Sequence, residues 1–509
     1  MPQPSREYEL KLDLTGKELD RLAGDPKLNA KATRTQKTLR SVYYDTPDYR
    51  LHAQGMVLRV RYDGQTYIQT VKLDNNPKDG ISNPIEVEDR FENGEPDPNR
   101  IHDIRVRRRV LKAIGGSGLT RAFETVMTRT AYKLRPRGSL IELALDRGEV
   151  IAQNRKSEIC EAELELIRGK PGDLLQAALS LFAKSPVRLP GMTKAERGYR
   201  LLLKTPPAQK TGPMFAEPPP IEKGQTCGEA FAAILRSARE QIVNNRIAVL
   251  ETDEAEAVHQ LRVGLTRLRS AHRALREALP DTPQLRRLEA DARTISRAVG
   301  RLRDADVTIG EIYAPVAANA PRQPGFAALL DALKAHRDAA QKEARRALMG
   351  QAWTRLLLSL TLWPSMLEQE PSLQEPVEDL ADKLLQKRWK KAARLGRSID
   401  GLEGEEQHRM RKLLKKLRYT AEFLATLFPK ARTKQFIGRL KKLQDVFGYV
   451  NDVRMAGELL AIAKAHRSEP GALIAAGQVL GHHEAEAAEV WQRAPKAWRQ
   501  LKARGPFWK

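Results

Sequence analysis

The sequence predicts a multidomain protein, in which an N-terminal α+β domain built on antiparallel strands precedes an all-α domain of two repeated helical bundles. Up to about residue 205, short segments alternate apolar and polar residues between glycine-containing turns, a period typical of half-buried strands. From about residue 226, Ala, Leu, Arg, Lys and Glu dominate, and apolar residues recur at a helical period. The Pro-rich segment 206–225 between them is typical of a linker. We therefore predict domains over 1–205 and 226–509.

The composition narrows the class of protein and of partner. The chain has 509 residues, of which 41% are hydrophobic and 30% charged, as in folded domains. Lys and Arg number 88 against 64 Asp and Glu, so the formal charge of +24 predicts a polyanionic partner. The two cysteines, Cys160 and Cys227, are too few for a disulfide framework or a cysteine zinc site, so a bound metal should have oxygen ligands. The sequence has no apolar run typical of a secretion signal or a membrane span, and we expect a cytoplasmic protein without a membrane partner.

Several predicted strands carry charge on one parity. Glu9 and Lys11 alternate with Leu10 and Leu12, and the same alternation occurs in MVLRVRYDG, PIEVEDRF, SLIELALDRG and ICEAELELIRG, while TYIQTVKL is a further strand-like segment. One reading is a sheet with one face in water. The other is a closed antiparallel barrel with an apolar exterior under helices and a charged bore. Both signs occur on the charged parity, and a bore of both signs suits a phosphate chain, whose oxygens need Lys and Arg and whose Mg²⁺ or Mn²⁺ needs carboxylates.

These segments resemble the CYTH superfamily, the triphosphate tunnel metalloenzymes. The resemblance is carried by Glu7-x-Glu9-x-Lys11, LRVR at 58–61, QTVKL, MTRTAY, IELALDRG, ICEAELEL and TKAERGY, in that order. It implies an eight-stranded β-barrel tunnel and hydrolysis or rearrangement of triphosphates with Mg²⁺ or Mn²⁺. The implied metal ligands are Glu7, Glu9, Asp146, Glu161 and Glu163, with Glu142 nearby. The implied phosphate-binding residues are Lys11, Arg59, Arg61, Lys72, Arg129, Lys194 and Arg197. Among all of these, Glu7, Glu9, Lys11, Arg59 and Arg61 would serve catalysis most directly. Pro84 departs from the pattern, because relatives usually carry a basic residue two positions before Glu86.

The helical part repeats itself. HQLRVGLTRLR from His259 aligns with HRMRKLLKKLR from His408, and GRLRDADV from Gly300 aligns with GYVNDVRM from Gly448. We infer two related bundles, about 226–363 and 377–509, separated by a break over 364–376. On a helix, His259, Arg262 and Arg269 share one face, so facing basic helices should form a positive cleft. A solvated basic face with an incidental histidine is the alternative.

This part resembles the CHAD domain, which is associated with inorganic polyphosphate. The resemblance implies polyphosphate binding and association with polyphosphate granules. The residues that it implies are His259, Arg262, Arg267, Arg269, His408, Arg411, Lys415, Lys416 and Arg418.

Together these patterns predict a metal-dependent inorganic triphosphatase coupled to a polyphosphate-binding domain. The alternatives are an organic triphosphatase acting on thiamine triphosphate or a nucleotide, and a non-catalytic polyphosphate-binding protein; a cyclase is less favoured. Specific nucleic-acid binding is not expected, because aromatic residues make up only 6% of the chain and do not interleave with the basic stripes.

Overall fold

The structure is a computed structural model. It describes residues 8–508, except 27, 29–32, 63, 65, 74–84, 92–93, 191, 205–211, 277–278, 280–281, 321–322 and 467–468. Glu7 and Pro84, both singled out in the sequence, lie outside the described residues. The chain forms two compact units that meet in sequence near residue 210.

The first unit is built on one antiparallel sheet of eight strands, as predicted. The strands are β1 Tyr8–Asp13, β2 Thr33–Asp45, β3 Met56–Tyr62, β4 Tyr67–Leu73, β5 Ile85–Phe91, β6 Thr120–Leu134, β7 Leu140–Ala152 and β8 Arg155–Arg168. They pair in the order β1-β8-β7-β6-β2-β3-β4-β5, so β1 and β5 are the edges. Residues from both edge strands line the same cavity, which shows that the sheet curls round on itself. Among the described residues β1 and β5 form no hydrogen-bonded pair, so no backbone ladder joins the two edges.

The predicted alternation of charged and apolar residues is confirmed. Leu10 and Leu12 on β1 lie beside Leu164 and Ala162 on β8 in register, and all four are fully buried. The charged residues between them face the other way, into the curled sheet. The apolar outer face is covered by α1 Gly16–Ala23, α2 Arg50–Ala53, α3 Ile104–Ile114 and α4 Pro171–Phe182.

One end of the curled sheet is filled by a fifth helix, α5 Lys194–Leu202. Thr193 and Glu196 begin it with a capping box, in which each side chain accepts a hydrogen bond from the backbone N–H of the other. Tyr199 then packs with Phe123 in an apolar cluster. Gly198 permits this packing, because a Cβ there would lie 2.1 Å from the Phe123 ring. The interior is therefore charged along only part of its length.

The second unit is helical, as predicted. Its helices are α6 Cys227–Glu251, α7 Ala255–Leu275, α8 Pro283–Val307, α9 Ala314–Ala318, α10 Pro324–Met349, α11 Gln351–Leu367, α12 Val377–Leu395, α13 Gly404–Phe423, α14 Lys430–Ala456, α15 Glu458–Ala465, α16 Pro470–Trp491 and α17 Ala494–Ala503. The two histidine-containing repeats fall on α7 and α13, which pack against each other. Their companion segments fall on α8 and α14.

The predicted break over 364–376 is too long at its start. Helix α11 continues through Pro364 to Leu367, so only 368–376 separate α11 from α12. Across the residues that the structure describes, no helix combines the length and the apolar run needed to cross a bilayer.

Candidate active site

A cavity of about 440 Å³ lies inside the curled sheet. The structure brings most of the predicted tunnel residues together on its wall. These are Glu9, Lys11, Arg59, Arg61, Lys72, Arg129, Glu161, Glu163 and Lys194. Asp146 lies directly behind them and is fully buried. We call this cavity the bore.

One wall of the bore is acidic. Asp146 on β7 pairs in register with Glu161 on β8, and Glu163 follows two residues later on the same face. One carboxylate oxygen from each of the three lies within 4.8 Å of the others. Three hard oxygen donors at this spacing are the ligand type that Mg²⁺ and Mn²⁺ prefer.

Two cationic side chains, Lys194 and Arg129, form ion pairs with this acidic wall. The Lys194 Nζ atom lies 2.7 Å from Glu161, 2.9 Å from Asp146 and 3.2 Å from Glu163. Arg129 donates to both oxygens of Asp146 at 2.7 Å. Burial acts to raise the pKa of Glu163, but Lys11, Lys194 and Arg129 outweigh it and hold that pKa well below the usual value. Glu163 is therefore a carboxylate anion throughout the neutral range.

Glu9 shows that the wall is crowded with negative charge. Burial first, and then the charge of Glu163, raise the pKa of the Glu9 carboxyl. Lys11 lies between the two, with its Nζ atom 3.1 Å from Glu9 and 3.4 Å from Glu163. A divalent cation at this point would relieve the repulsion between the carboxylates, so the residues present fit such an ion.

The opposite wall is basic. Lys72 contacts Glu86 at 2.6 Å, Arg59 contacts Glu86 at 3.5 Å, and Arg61 contacts Glu88 at 3.2 Å. These acids do not use all the donors, since the Nε atoms of Arg59 and Arg61 are buried and have no acceptor among the described residues. Burial, followed by the charge of Arg59, lowers the pKa of both Arg61 and Lys72. Unused donors in an under-neutralised cluster favour an anionic ligand.

Arg197, predicted to bind phosphate, is not on the bore wall. Its guanidinium lies 2.8 Å from Asp13 and 3.2 Å from Glu161, beyond the residues that line the bore. Asp13 was missed at the sequence level, although it continues the parity of Glu9 and Lys11 on β1. Arg197 lies one turn after Lys194 on α5, and the two side chains contact different oxygens of the same Glu161 carboxylate, one from each cavity.

In the second unit, the predicted basic helices form a cation cluster between α7 and α13. Arg262 contacts Asp304 on α8, while Arg411 lies near Arg262 and Asp452. Burial, and then Arg411, Arg262 and Arg418, lower the pKa of Lys415 to about 7. The Nε atoms of Arg411 and Arg418 are buried without a hydrogen-bond acceptor among the described residues, although Arg418 Nε lies 3.7 Å from Glu422. We call Arg262, Arg411, Lys415 and Arg418 the central cation cluster.

The other residues that were predicted to bind polyphosphate lie outside the central cation cluster. His259 is partly buried near Arg303 and Arg262, which together with its burial lower its pKa, and His408 is partly exposed on α13. Arg269 and Lys416 share Arg273 as a neighbour and so lie in an adjoining basic group.

Arg267, which was also predicted to bind polyphosphate, is buried in this structure. It is only 2% exposed, and its guanidinium donates to the side chain of Gln241, the backbone carbonyl of Glu217 and the hydroxyl of Ser237. Its role is to hold α7 against α6.

Comparison with known families agrees with this architecture. Residues 5–199 match the family model of the CYTH domain, and residues 233–461 match that of the CHAD domain. The chain is a CYTH–CHAD protein. The CYTH domain contains the bore, and the CHAD domain contains the central cation cluster.

Individual relatives show modest sequence identity to this chain. An inorganic triphosphatase from Haemophilus influenzae is 30% identical over 164 residues, which is 32% of this chain and 46% of that protein. The match thus spans about half of the relative's length. The crystal structure of the CHAD domain from the plant Ricinus communis covers 57% of this chain and 98% of its own, with 27% identity and a TM-score of 0.51. A Hippeastrum protein described as having a dominant triphosphatase activity covers 38% of this chain and 95% of its own, with 21% identity and a TM-score of 0.30.

Tyr199 anchors the helix that carries Lys194 into the bore. Its hydroxyl donates to Asp45 at 2.7 Å, and Asp45 also accepts from the backbone N–H groups of Thr46, Leu51 and His52. Tyr199 and Asp45 are both buried, and burial raises the pKa of the Tyr199 hydroxyl. This bond ties α5 of the CYTH domain to the end of β2.

Replacing the anchor should destabilise the CYTH domain alone. We expect Tyr199→Phe to lower its free energy of unfolding by about 1–3 kcal/mol, because a buried carboxylate loses one donor. Urea unfolding followed by far-UV circular dichroism would show the shift. All six tryptophans lie at residue 353 or later, so tryptophan fluorescence should report an unchanged CHAD domain. Tyr62→Phe, at a 41% exposed position, is the matched control. An unchanged CYTH transition in Tyr199→Phe would contradict the anchor.

Proposed function

We propose that the CYTH domain hydrolyses inorganic triphosphate with Mg²⁺ or Mn²⁺, and that the CHAD domain binds inorganic polyphosphate. The observation that carries the first part is the pairing of two walls across one bore. Asp146, Glu161 and Glu163 offer metal ligands on one side, and Arg59 and Arg61 offer unused donors on the other. A triphosphate chelated to a divalent cation needs both.

Each group has a distinct task in this proposal. Arg59, Arg61 and Lys72 bind the oxygens of the substrate, which aligns the phosphate chain along the basic wall. Lys11, which already bridges Glu9 and Glu163, can turn toward a phosphoryl oxygen and offset charge on the leaving pyrophosphate. When bound, a divalent cation would withdraw charge from the phosphoryl oxygens and favour in-line attack by water. Asp146, Glu161, Glu163 and Glu9 would hold it.

The inorganic substrate is favoured over an organic one by the lining of the bore. Most of its lining side chains are charged, and Tyr43 is the single aromatic residue among those described there. A nucleobase or thiamine ring would need an apolar or stacking surface, whereas a phosphate chain needs only the two charged walls. The similarity to an inorganic triphosphatase supports the same choice.

The test is phosphate release by the full-length protein with Mg²⁺ or Mn²⁺. Tripolyphosphate, ATP and thiamine triphosphate would be compared at equal concentration, and chelation of the metal should stop the reaction. We expect kcat/KM to be highest for tripolyphosphate. Faster release from ATP or thiamine triphosphate would indicate the organic alternative, and no release from any of the three would indicate a binding protein.

Polyphosphate binding by the CHAD domain is supported by the central cation cluster. Four cations lie between two helices with Asp304, Asp452 and Glu422 as their nearby acids, and two of their Nε donors have no hydrogen-bond acceptor among the described residues. A long uniform polyanion would supply the missing charge and acceptors. The cytoplasmic location, the granule association and the absence of nucleic-acid or membrane partners stay predictions.

The state of Lys415 gives this binding a pH dependence. In the protein without a bound polyanion, the pKa of the Lys415 side chain is about 7. Most Lys415 side chains are therefore neutral at pH 8. A bound polyanion raises that pKa, so binding at pH 8 should take up about one proton and should weaken as the pH rises through this range. Calorimetry in buffers of different ionisation enthalpy measures the uptake. Lys415→Met should abolish it, while Lys412→Met, at an exposed position of α13, should not. Equal uptake in Lys415→Met and the wild-type protein would contradict the assignment.

A further inference from the structure

A second cleft lies in the CYTH domain, beside α5 and outside the bore. Its volume is about 840 Å³, and its wall includes residues from β1, β8 and the C-terminal half of α5. Met192 lines both cavities, so the two approach each other there. Apart from Arg197, which was predicted to bind phosphate, no residue of this cleft was assigned a function from the sequence.

The cleft is strongly basic. Five cationic side chains line it, against two acids, Asp13 and Glu158. The cations are Arg155, Arg188, Arg197, Arg200 and Lys204. Asp13 is already paired with Arg197 and also lies near Arg188, and the structure gives no ion pair within 4.0 Å to Arg155, Arg188 or Lys204 within the described ranges. The Arg155 guanidinium donates to the carbonyl of Leu201, which fixes it at the cleft wall.

Arg197 connects this cleft to the bore. Its guanidinium lines the cleft, yet it contacts Glu161, whose other oxygen lies 2.7 Å from Lys194 Nζ. An anion in the cleft would compete with Glu161 and Asp13 for Arg197. Charge in the cleft is therefore linked, through one arginine, to a carboxylate of the acidic wall.

We propose that this cleft is a second anion site of the CYTH domain, which binds inorganic phosphate or pyrophosphate and communicates with the bore through Arg197. Both ligands present the tetrahedral phosphoryl oxygens that clustered arginines bind. The proposal does not depend on hydrolysis in the bore, because it concerns binding at a different group of residues.

Cys160 offers a local probe of the cleft. Its thiol lines the cleft and is partly exposed, whereas the other cysteine, Cys227, is buried. A full-length Cys227→Ala variant would therefore report the labelling rate of Cys160 with a chromogenic thiol reagent at pH 8.5. We expect saturating pyrophosphate to slow labelling at least about fivefold relative to sodium chloride of equal ionic strength, because a bound anion shields the thiol and disfavours its thiolate. Orthophosphate, tested separately, should act at higher concentration.

Charge reversal locates the effect. Arg188→Glu with Lys204→Glu should raise the pyrophosphate concentration needed for half protection at least about tenfold, because two attractive charges become repulsive. The neutral pair Arg188→Gln with Lys204→Gln should raise it less and guards against a folding defect. Arg135→Glu with Lys184→Glu, two exposed positions outside the cleft, should leave protection unchanged. Protection that chloride reproduces, or that survives in Arg188→Glu with Lys204→Glu, would overturn the proposal.

Discussion

Glu163→Gln should lower kcat/KM for tripolyphosphate by about 10²–10³-fold, the loss typical of removing a group that stabilises charge in the transition state. Glu163 belongs to the carboxylate group that can hold a metal, and it also contacts Lys11, Arg129 and Lys194. The amide keeps the size of the side chain but removes its charge. A weakened metal site would appear as a higher Mg²⁺ or Mn²⁺ concentration at half-maximal rate.

The matched control is Glu149→Gln. Glu149 is also on the sheet, but its side chain is 44% exposed and pairs with Lys156 at the surface. The kcat/KM of Glu149→Gln should stay within about twofold of the wild-type value, because a surface ion pair contributes little free energy. Full activity of Glu163→Gln, with an unchanged metal requirement, would contradict the assignment of Glu163 as a metal ligand.

Arg262→Glu with Arg411→Glu should weaken polyphosphate binding by at least about 100-fold, because it reverses two charges of the central cation cluster. The hydrolysis of tripolyphosphate should be spared, since these residues belong to the CHAD domain. Binding would be measured by filter retention or calorimetry with chains of defined length. The loss should shrink as salt rises, as for any polyanion bound largely through its charge.

Lys342→Glu with Arg346→Glu is the control for this pair. Both residues are exposed on α10, so the net charge changes equally without touching the central cation cluster. If this control lost as much binding as Arg262→Glu with Arg411→Glu, overall charge rather than a site would explain the affinity. Equal loss of binding and hydrolysis in the latter would contradict the independence of the two domains.

The strand pattern allowed the fold of the first unit to be predicted because charged and apolar residues alternate in most of its strands. Five strands show this alternation, and the resemblance to CYTH supplied the total of eight. Strands β2 and β6 were harder to recognise: the first half of β2, from Thr33, is exposed and polar on both parities. Its pairing with β6 over its whole length, rather than its own pattern, makes it a strand.

Tertiary packing determines the environments of several basic residues, and these environments could not be predicted from the sequence. Arg267 and Arg269 are two residues apart on α7 and look equally basic, yet Arg267 is interior and bonded to α6 while Arg269 lies in a basic group. Their difference depends on where α6 lies, which no local pattern encodes. Arg197 likewise follows Lys194 on α5, and only the position of β8 assigns the two side chains to different cavities.

The closure of one end of the bore was also not visible in the sequence. Leu39 on β2 and Phe123 and Met127 on β6 pack with Tyr199 of α5 inside the curled sheet. TKAERGY contributed to the family resemblance, but it did not indicate the direction from which α5 enters.

Diffraction at the manganese absorption edge, from crystals of the full-length protein grown with Mn²⁺ and tripolyphosphate, tests the central claim most directly. The account predicts an anomalous peak about 2.0–2.3 Å from carboxylate oxygens of Asp146, Glu161 or Glu163. It also predicts phosphate density beside Arg59, Arg61 and Lys72. A bore without metal or phosphate, with tripolyphosphate bound only to the CHAD helices, would contradict it.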